Sequence, residues 1–213
     1  ADVADLAAAA EAAGWDALFV WEGLYGTDAW VSLGIAATRT STIRLGTMLT
    51  PVSRRKPWEL AGQIATVDRL SGGRVILTVG LGAVDSGFDA FGEETDRRVR
   101  ARLLDEGLDV MQGLWRGQPF EYDGEHYTIR PSDFPAIGHT VQQPRPTIWC
   151  VGALGRRRSM DRAIGLDGLV PQVLDADGAR QPTLEELTDA IAEVRARTGE
   201  RPFDVVVEAS DAE

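Results

Sequence analysis

The 213-residue sequence has one cysteine (Cys150), one lysine (Lys56) and two histidines, His126 and His139. A lone cysteine excludes an internal disulfide and fits a reducing, cytoplasmic setting. No uninterrupted apolar run approaches the roughly 18 residues of a membrane span. No basic segment followed by an apolar one, as in a secretory signal, precedes the first helical pattern. Positive charge is scarce, with 22 Lys and Arg against 33 Asp and Glu, for a net charge of -11. Nucleic acid and anionic membrane both require a basic face, so neither is an expected partner. The histidines lack metal-ligand spacing with each other or with Cys150, so no zinc site is read. Cys150 falls mid-strand and reads as core. With 44% hydrophobic residues, the chain can bury a sizeable core.

What is present is an alternation of two hydrophobic periods. Helical spacing predicts helices over residues 2–13, 28–39, 57–70, 96–115 and 157–164, and one opened by the capping box Thr183–Glu186. Gly14, Gly72-Gly73, Gly117 and Gly199 stop four of them. Between the helices lie short apolar runs at 16–21, 43–50, 74–80, 147–152, 167–170 and 203–208, read as strands. Asp123-Gly124 signals a hairpin within 120–129, and the excursion at about 117–146 continues through a proline-rich stretch. Strand–helix alternation predicts a parallel sheet. No dinucleotide fingerprint follows any strand, so a (β/α)8 barrel is preferred to a doubly wound sheet. The whole chain, 1–213, is read as one such domain, whose first and eighth strands would lie before Ala1 and after Glu213.

In this fold the chemistry sits at the carboxyl ends of the strands. Those ends offer few acid or base groups. Only Glu22 and Asp85 stand out as candidates for proton handling, and few catalytic groups suit an enzyme whose cofactor performs the difficult chemistry. Ile43-Arg-Leu-Gly-Thr-Met-Leu-Thr-Pro51 and Arg74 to Gly82 both end in small residues and threonines, which let a flat ring approach the backbone. Val79-Gly-Leu-Gly-Ala-Val-Asp85 has aspartate where a dinucleotide fingerprint needs glycine or alanine, so it reads as space or a turn. Gly152-Ala-Leu-Gly-Arg-Arg-Arg158 combines glycines, a helix N-terminus and three guanidinium groups, which suits a phosphate; a solvated basic turn is the other reading. Trp21, Trp30 and Trp149 read as core.

Taken in order and spacing, these segments resemble the bacterial luciferase-like family of flavin- or deazaflavin-dependent oxidoreductases. The other marks are Asp68-Arg-Leu-Ser-Gly-Gly-Arg74, Val79-Gly-Leu-Gly82, Phe88-Asp-Ala-Phe-Gly92, Arg102-Leu-Leu-Asp-Glu-Gly-Leu108, Gly113-Leu-Trp115, Phe120 to Tyr127 and Asp167-Gly168. The resemblance implies a luciferase-type (β/α)8 barrel with FMN or coenzyme F420 in its mouth, a small-molecule substrate and assembly as a homodimer. It places a non-proline cis peptide at Thr47-Met48, with Thr50 nearby. Gly80 and Gly82 would lie beside the ring, and Gly152, Ala153, Arg156 and Arg157 around the cofactor phosphate.

The chain departs from the family pattern at two named positions. Gly23 follows Glu22 where many members have histidine. Ala83 stands where the sugar-phosphate-oxidising F420 branch has glutamate, which argues against such a substrate. The expected activity is therefore a flavin-dependent monooxygenation or an F420-dependent hydride transfer. The alternative is a relative that binds flavin without catalysis, or binds no cofactor.

Overall fold

A computed structural model describes residues 2–132, 140–176 and 178–208. The chain sorts into two compact units, Ala1–Thr147 and Ile148–Glu213.

The first unit opens with α1 (Val3–Ala12), β1 (Ala17–Val20) and α2 (Ala29–Arg39). It continues through β2 (Arg44–Pro51), α3 (Pro57–Ser71), β3 (Val75–Gly80) and α4 (Arg97–Arg116). Local chemistry sets these bounds. Asp2, Asp28 and Asp96 each cap a helix by accepting first-turn amide N–H groups, and Pro57 occupies the first turn of α3. Gly72 stops α3 at φ +68°, a backbone region that disfavours side chains. Strands β1, β2 and β3 are parallel neighbours. Every residue of β3 is buried, as expected of a parallel strand covered on both faces.

Carboxylates and one arginine fasten the end of this unit where the strands begin. Glu11 accepts the backbone N–H groups of Ser41, Thr42 and Ile43 just before β2. Those donors hold its carboxyl at about 2, well below the ordinary 4.5, the Ile43 amide contributing most. Asp68 accepts from the amides of Val141 and Gln142 and from the Gln142 side chain. Arg74 donates to the carbonyls of Ala37, Thr40, Ile43 and Ser71. The Asp68–Arg74 motif is thus a fastening at the amino ends of the strands, where a βα barrel keeps residues for stability.

The hairpin forms within 120–129 as expected, with a wider loop than Asp123-Gly124 alone favours. Strands β4 (Tyr122–Asp123) and β5 (Thr128–Ile129) pair antiparallel, with Asp123 opposite Thr128. Asp123-Gly124 therefore opens a four-residue loop instead of forming a two-residue turn. Buried Glu106 on α4 is the cause. Its carboxylate accepts the N–H groups of Glu125, His126 and Tyr127, holding the loop open around it. Of the proline-rich excursion, residues 133–139, including His139, lie outside the described residues.

The second unit carries β6 (Thr147–Ala153), whose first residue stands at the boundary. It continues with α5 (Arg157–Ile164), β7 (Gly168–Asp175), β8 (Gly178–Arg180), α6 (Leu184–Thr198) and β9 (Asp204–Val205). Strand β7 runs parallel to both β6 and β9. The capping box at Thr183 and Glu186 forms as expected. Two elements differ from the sequence reading. Strand β7 runs on to Asp175 because β8 folds back antiparallel against its end. The last strand pairs only at Asp204 and Val205, where it meets Gly168 and Leu169.

Candidate functional site

The end of β2 is irregular. Thr47 pairs with Leu77 of β3 and Thr50 with Val79, so three steps on β2 match two on β3. The extra residue is a β-bulge. In an uninterrupted strand, residues three apart face opposite sides. Here the bulge brings the Thr47 and Thr50 hydroxyls to 2.9 Å. The non-proline cis peptide lies inside it, at Met48-Leu49. That corrects the expected Thr47-Met48 by one bond, because Thr47 still holds its place in the ladder and the irregular residues are the two after it.

Glu22 leaves the end of β1 and reaches this bulge. It is buried, and its Oε2 accepts from Thr50 Oγ1 at 2.6 Å. A hydroxyl has one proton. Thr50 gives its proton to Glu22, so Thr47 is the donor in the Thr47–Thr50 bond. The chain of donors therefore runs one way, from Thr47 through Thr50 to Glu22. The other oxygen, Oε1, lies 3.4 Å from Arg54 Nη2 and 3.6 Å from Arg55 Nε. Burial lowers the Arg54 pKa, and Glu22 opposes that shift. Both carboxylate oxygens of Glu22 thus have partners. A cleft runs alongside, lined by Glu22, Leu24, Tyr25, Arg54, Arg55 and Glu93 among others.

The other expected residues of this unit are partly drawn in. Gly80 ends β3 opposite Pro51. Gly82 holds φ +73°, and a Cβ there would lie 2.8 Å from the Phe88 ring and 2.9 Å from Pro51. Packing of the protein on itself therefore already requires this glycine. Asp85 is exposed on a short turn, Val84–Ser86, and shares no hydrogen bond with the Glu22 network. Trp21 is 68% exposed, whereas Trp30 and Trp149 are core. Trp21 corrects the core reading: β1 stops at Val20, so this side chain lies past the covered part of the strand. Cys150 is buried, as read.

In the second unit, Gly152 and Ala153 close β6 and the chain turns through Gly155 at φ +72° into α5. Ala153 N–H donates to Ser159 Oγ at 2.9 Å, which ties the turn to the first turn of the helix. Arg156 stands at the cap position with no side-chain cap bond. Arg156, Arg157 and Arg158 are all exposed, and Arg157 lies 3.6 Å from Asp161. A helix start with three exposed guanidinium groups suits an anionic group. Gly152 has a separate cause: a Cβ there would lie 2.2 Å from Leu169 Cδ1.

Sequence reasoning missed two residues. Arg100 is buried and the Arg54 side chain is only 7% exposed, and both guanidinium groups lie over the ring of buried Phe88, 5.3 and 5.7 Å from its centre. Arginine is normally exposed, so composition gave no sign of them. The only trace was Phe88 within the Phe88–Gly92 motif. The structure also gathers Glu106, Glu125 and His126 closely enough to suggest a metal. Glu106 already accepts three backbone N–H groups there, which accounts for its burial.

The luciferase-like monooxygenase family profile matches residues 1–210. An uncharacterized protein of Mycobacterium tuberculosis is 37% identical over 159 residues, 70% of this chain and 51% of that protein. F420-dependent glucose-6-phosphate dehydrogenase of Mycobacterium avium is 34% identical over 142 residues, 61% of this chain and 42% of that enzyme. The chain thus spans about half the length, or less, of these relatives. Among solved structures, monooxygenase RslO1 from Streptomyces bottropensis superposes with a TM-score of 0.78 at 24% identity, covering 96% of this chain and 63% of that one. That likeness shows the fold, a luciferase-type βα barrel.

Proposed function

The chain belongs to the luciferase-like monooxygenase family, and from that premise we propose that it is the cofactor-binding part of an oxidoreductase that works with FMN or coenzyme F420. The observation that carries this reading is the bulge of β2, where a buried, fully partnered chain of hydroxyls and a carboxylate stands at the strand ends. Bound there, the cofactor supplies hydride transfer, and as reduced FMN also oxygen chemistry. Thr47, Met48 and Thr50 support the ring from the β2 side. Gly80 and Gly82 keep the neighbouring strand end low. In the second unit, taken by itself, Arg156 and Arg157, with Gly152 and Ala153 shaping the turn, are the residues proposed for a cofactor's anionic group.

Glu22 is the group nearest this network for proton handling, and Asp85 is a second candidate on its exposed turn. The substrate is a small organic molecule. Ala83, at the position where the sugar-phosphate branch carries glutamate, argues against a sugar phosphate. Both the F420-dependent relative and the monooxygenase neighbour support the oxidoreductase class. Homodimer assembly is proposed on the exposed apolar residues Leu6, Val31 and Ile35 of α1 and α2.

The test is spectroscopic. Full-length protein should take up FMN or F420, with a shifted visible absorption band and altered fluorescence. A colourless protein that takes up neither sinks the reading in favour of a non-catalytic relative. If one binds, oxygen consumption with reduced FMN separates monooxygenation from hydride transfer.

A further inference from the structure

Three strand-end loops of the first unit meet at one side chain. Arg54 follows β2, its side chain is 7% exposed, and its Nη2 donates to the Gly23 carbonyl at 3.2 Å and to Glu22 at 3.4 Å. Both acceptors belong to the loop after β1. The same guanidinium lies over Phe88, in the loop after β3. Arg100 reaches that ring from α4 and donates to the carbonyls of Leu81 and Gly82 at the start of the same loop. The Nε atoms of Arg54 and Arg100 are buried without a partner among the described residues.

The charges are unequal. Arg54 has the carboxylate of Glu22. Arg100 donates to carbonyls and lies on a π face, with Glu94 and Asp96 favouring its charge without an ion pair among the described residues. Burial of a guanidinium whose carboxylates make no direct contact is costly. A purely structural tie could have used an aliphatic side chain, so two cations on one ring call for a reason. Their geometry supplies one. A planar fork can bond two acceptors in its plane while stacking on a ring across it, fixing three loops relative to one another.

We infer that Arg54 is a positioning residue, which holds Glu22, the loop after β1 and the Phe88 loop in the single arrangement that the cofactor ring and substrate meet. This rests on the proposed function for its ligand, but the clamp itself can be tested without one. Hydrogen exchange of the full-length protein compares wild type with Arg54→Met and Arg54→Lys. Arg54→Met should speed exchange at least tenfold in segments 22–29 and 81–92 and leave α1 and β7 unchanged, and Arg54→Lys should restore only part of the protection. Titration with FMN and with F420 then reads the ligand side. Arg54→Met should weaken whichever cofactor binds by about tenfold, whereas Arg74→Lys, at the opposite strand ends, should lower the melting temperature without changing affinity.

Unchanged exchange in Arg54→Met overturns the clamp. Faster exchange with unchanged cofactor affinity reduces Arg54 to a structural role and overturns the positioning claim. If wild type takes up neither cofactor, the functional reading falls, and exchange alone decides the clamp. Should Arg54→Met fail to fold, Phe88→Leu serves in its place, since it removes the π face while keeping both cations.

Discussion

At the scale of single residues, acidic side chains here act as acceptors for backbone N–H groups. Glu11 gives the clearest consequence. Its folded pKa is about 2, depressed from 4.5. A depressed carboxylate stabilises the fold fully above its unfolded value, and that contribution is lost as pH falls from about 4.5 through about 2. Glu11→Gln should therefore melt below wild type at pH 6, and the gap should close as pH drops through that window. A gap independent of pH would show that packing, not ionisation, is what Glu11 contributes. None of this was legible in the sequence. Glu11 sits on an ordinary amphipathic helix, and its partners lie about thirty positions away. Arg54 was hidden for a related reason: a pair of arginines after a proline reads as solvated surface until the ring of Phe88 arrives beneath one of them.

At the scale of elements, much more could be read. The helices were visible through their hydrophobic period, the threonine box at 183 and the glycine stops after four of them, while the aspartate caps at 2, 28 and 96 emerged only in the structure. Parallel strands were visible as short apolar runs. The hairpin was legible too, but the width of its loop was not, because a distant side chain overrode local preference there. Asp123-Gly124 favours a tight turn, yet the Glu106 carboxylate fills the loop, and a Cβ at Gly124 would lie 2.3 Å from Glu106 Oε2. Glu106→Ala leaves three N–H groups without their acceptor and should cost roughly 2–4 kcal/mol in denaturant unfolding. A loss below about 0.5 kcal/mol would mean that water replaces the carboxylate freely and that the loop holds itself open.

At the scale of the whole molecule, the two ends of the parallel strands divide the work. Fastenings such as Asp68 and Arg74 gather where the strands begin. In the first unit Glu22 and Thr50 lie where strands end, and in the second Arg156 follows the end of β6. Replacing both Arg156 and Arg157 with alanine should thus weaken cofactor binding about tenfold while moving the melting temperature by no more than about a degree, because both side chains are exposed. Equal affinity in the double variant would refute the anion assignment. The family itself was legible in the order of its motifs. The substrate was not, since it depends on loops whose residues follow no period.

The extra residue in β2 divides that strand into two reading frames. Residues up to Thr47 follow one alternation of faces, and residues from Thr50 onward follow the other. Straightening the strand at its present length, with each residue of β2 meeting the next of β3, would turn Thr50 and every later side chain over. The hydroxyl that now meets Glu22 would face away from it. The three-position spacing of the two threonines and the slip in the ladder are therefore one feature, since each needs the other to put both hydroxyls on one face. A designer who wished to transplant this site would have to copy a spacing before copying a residue.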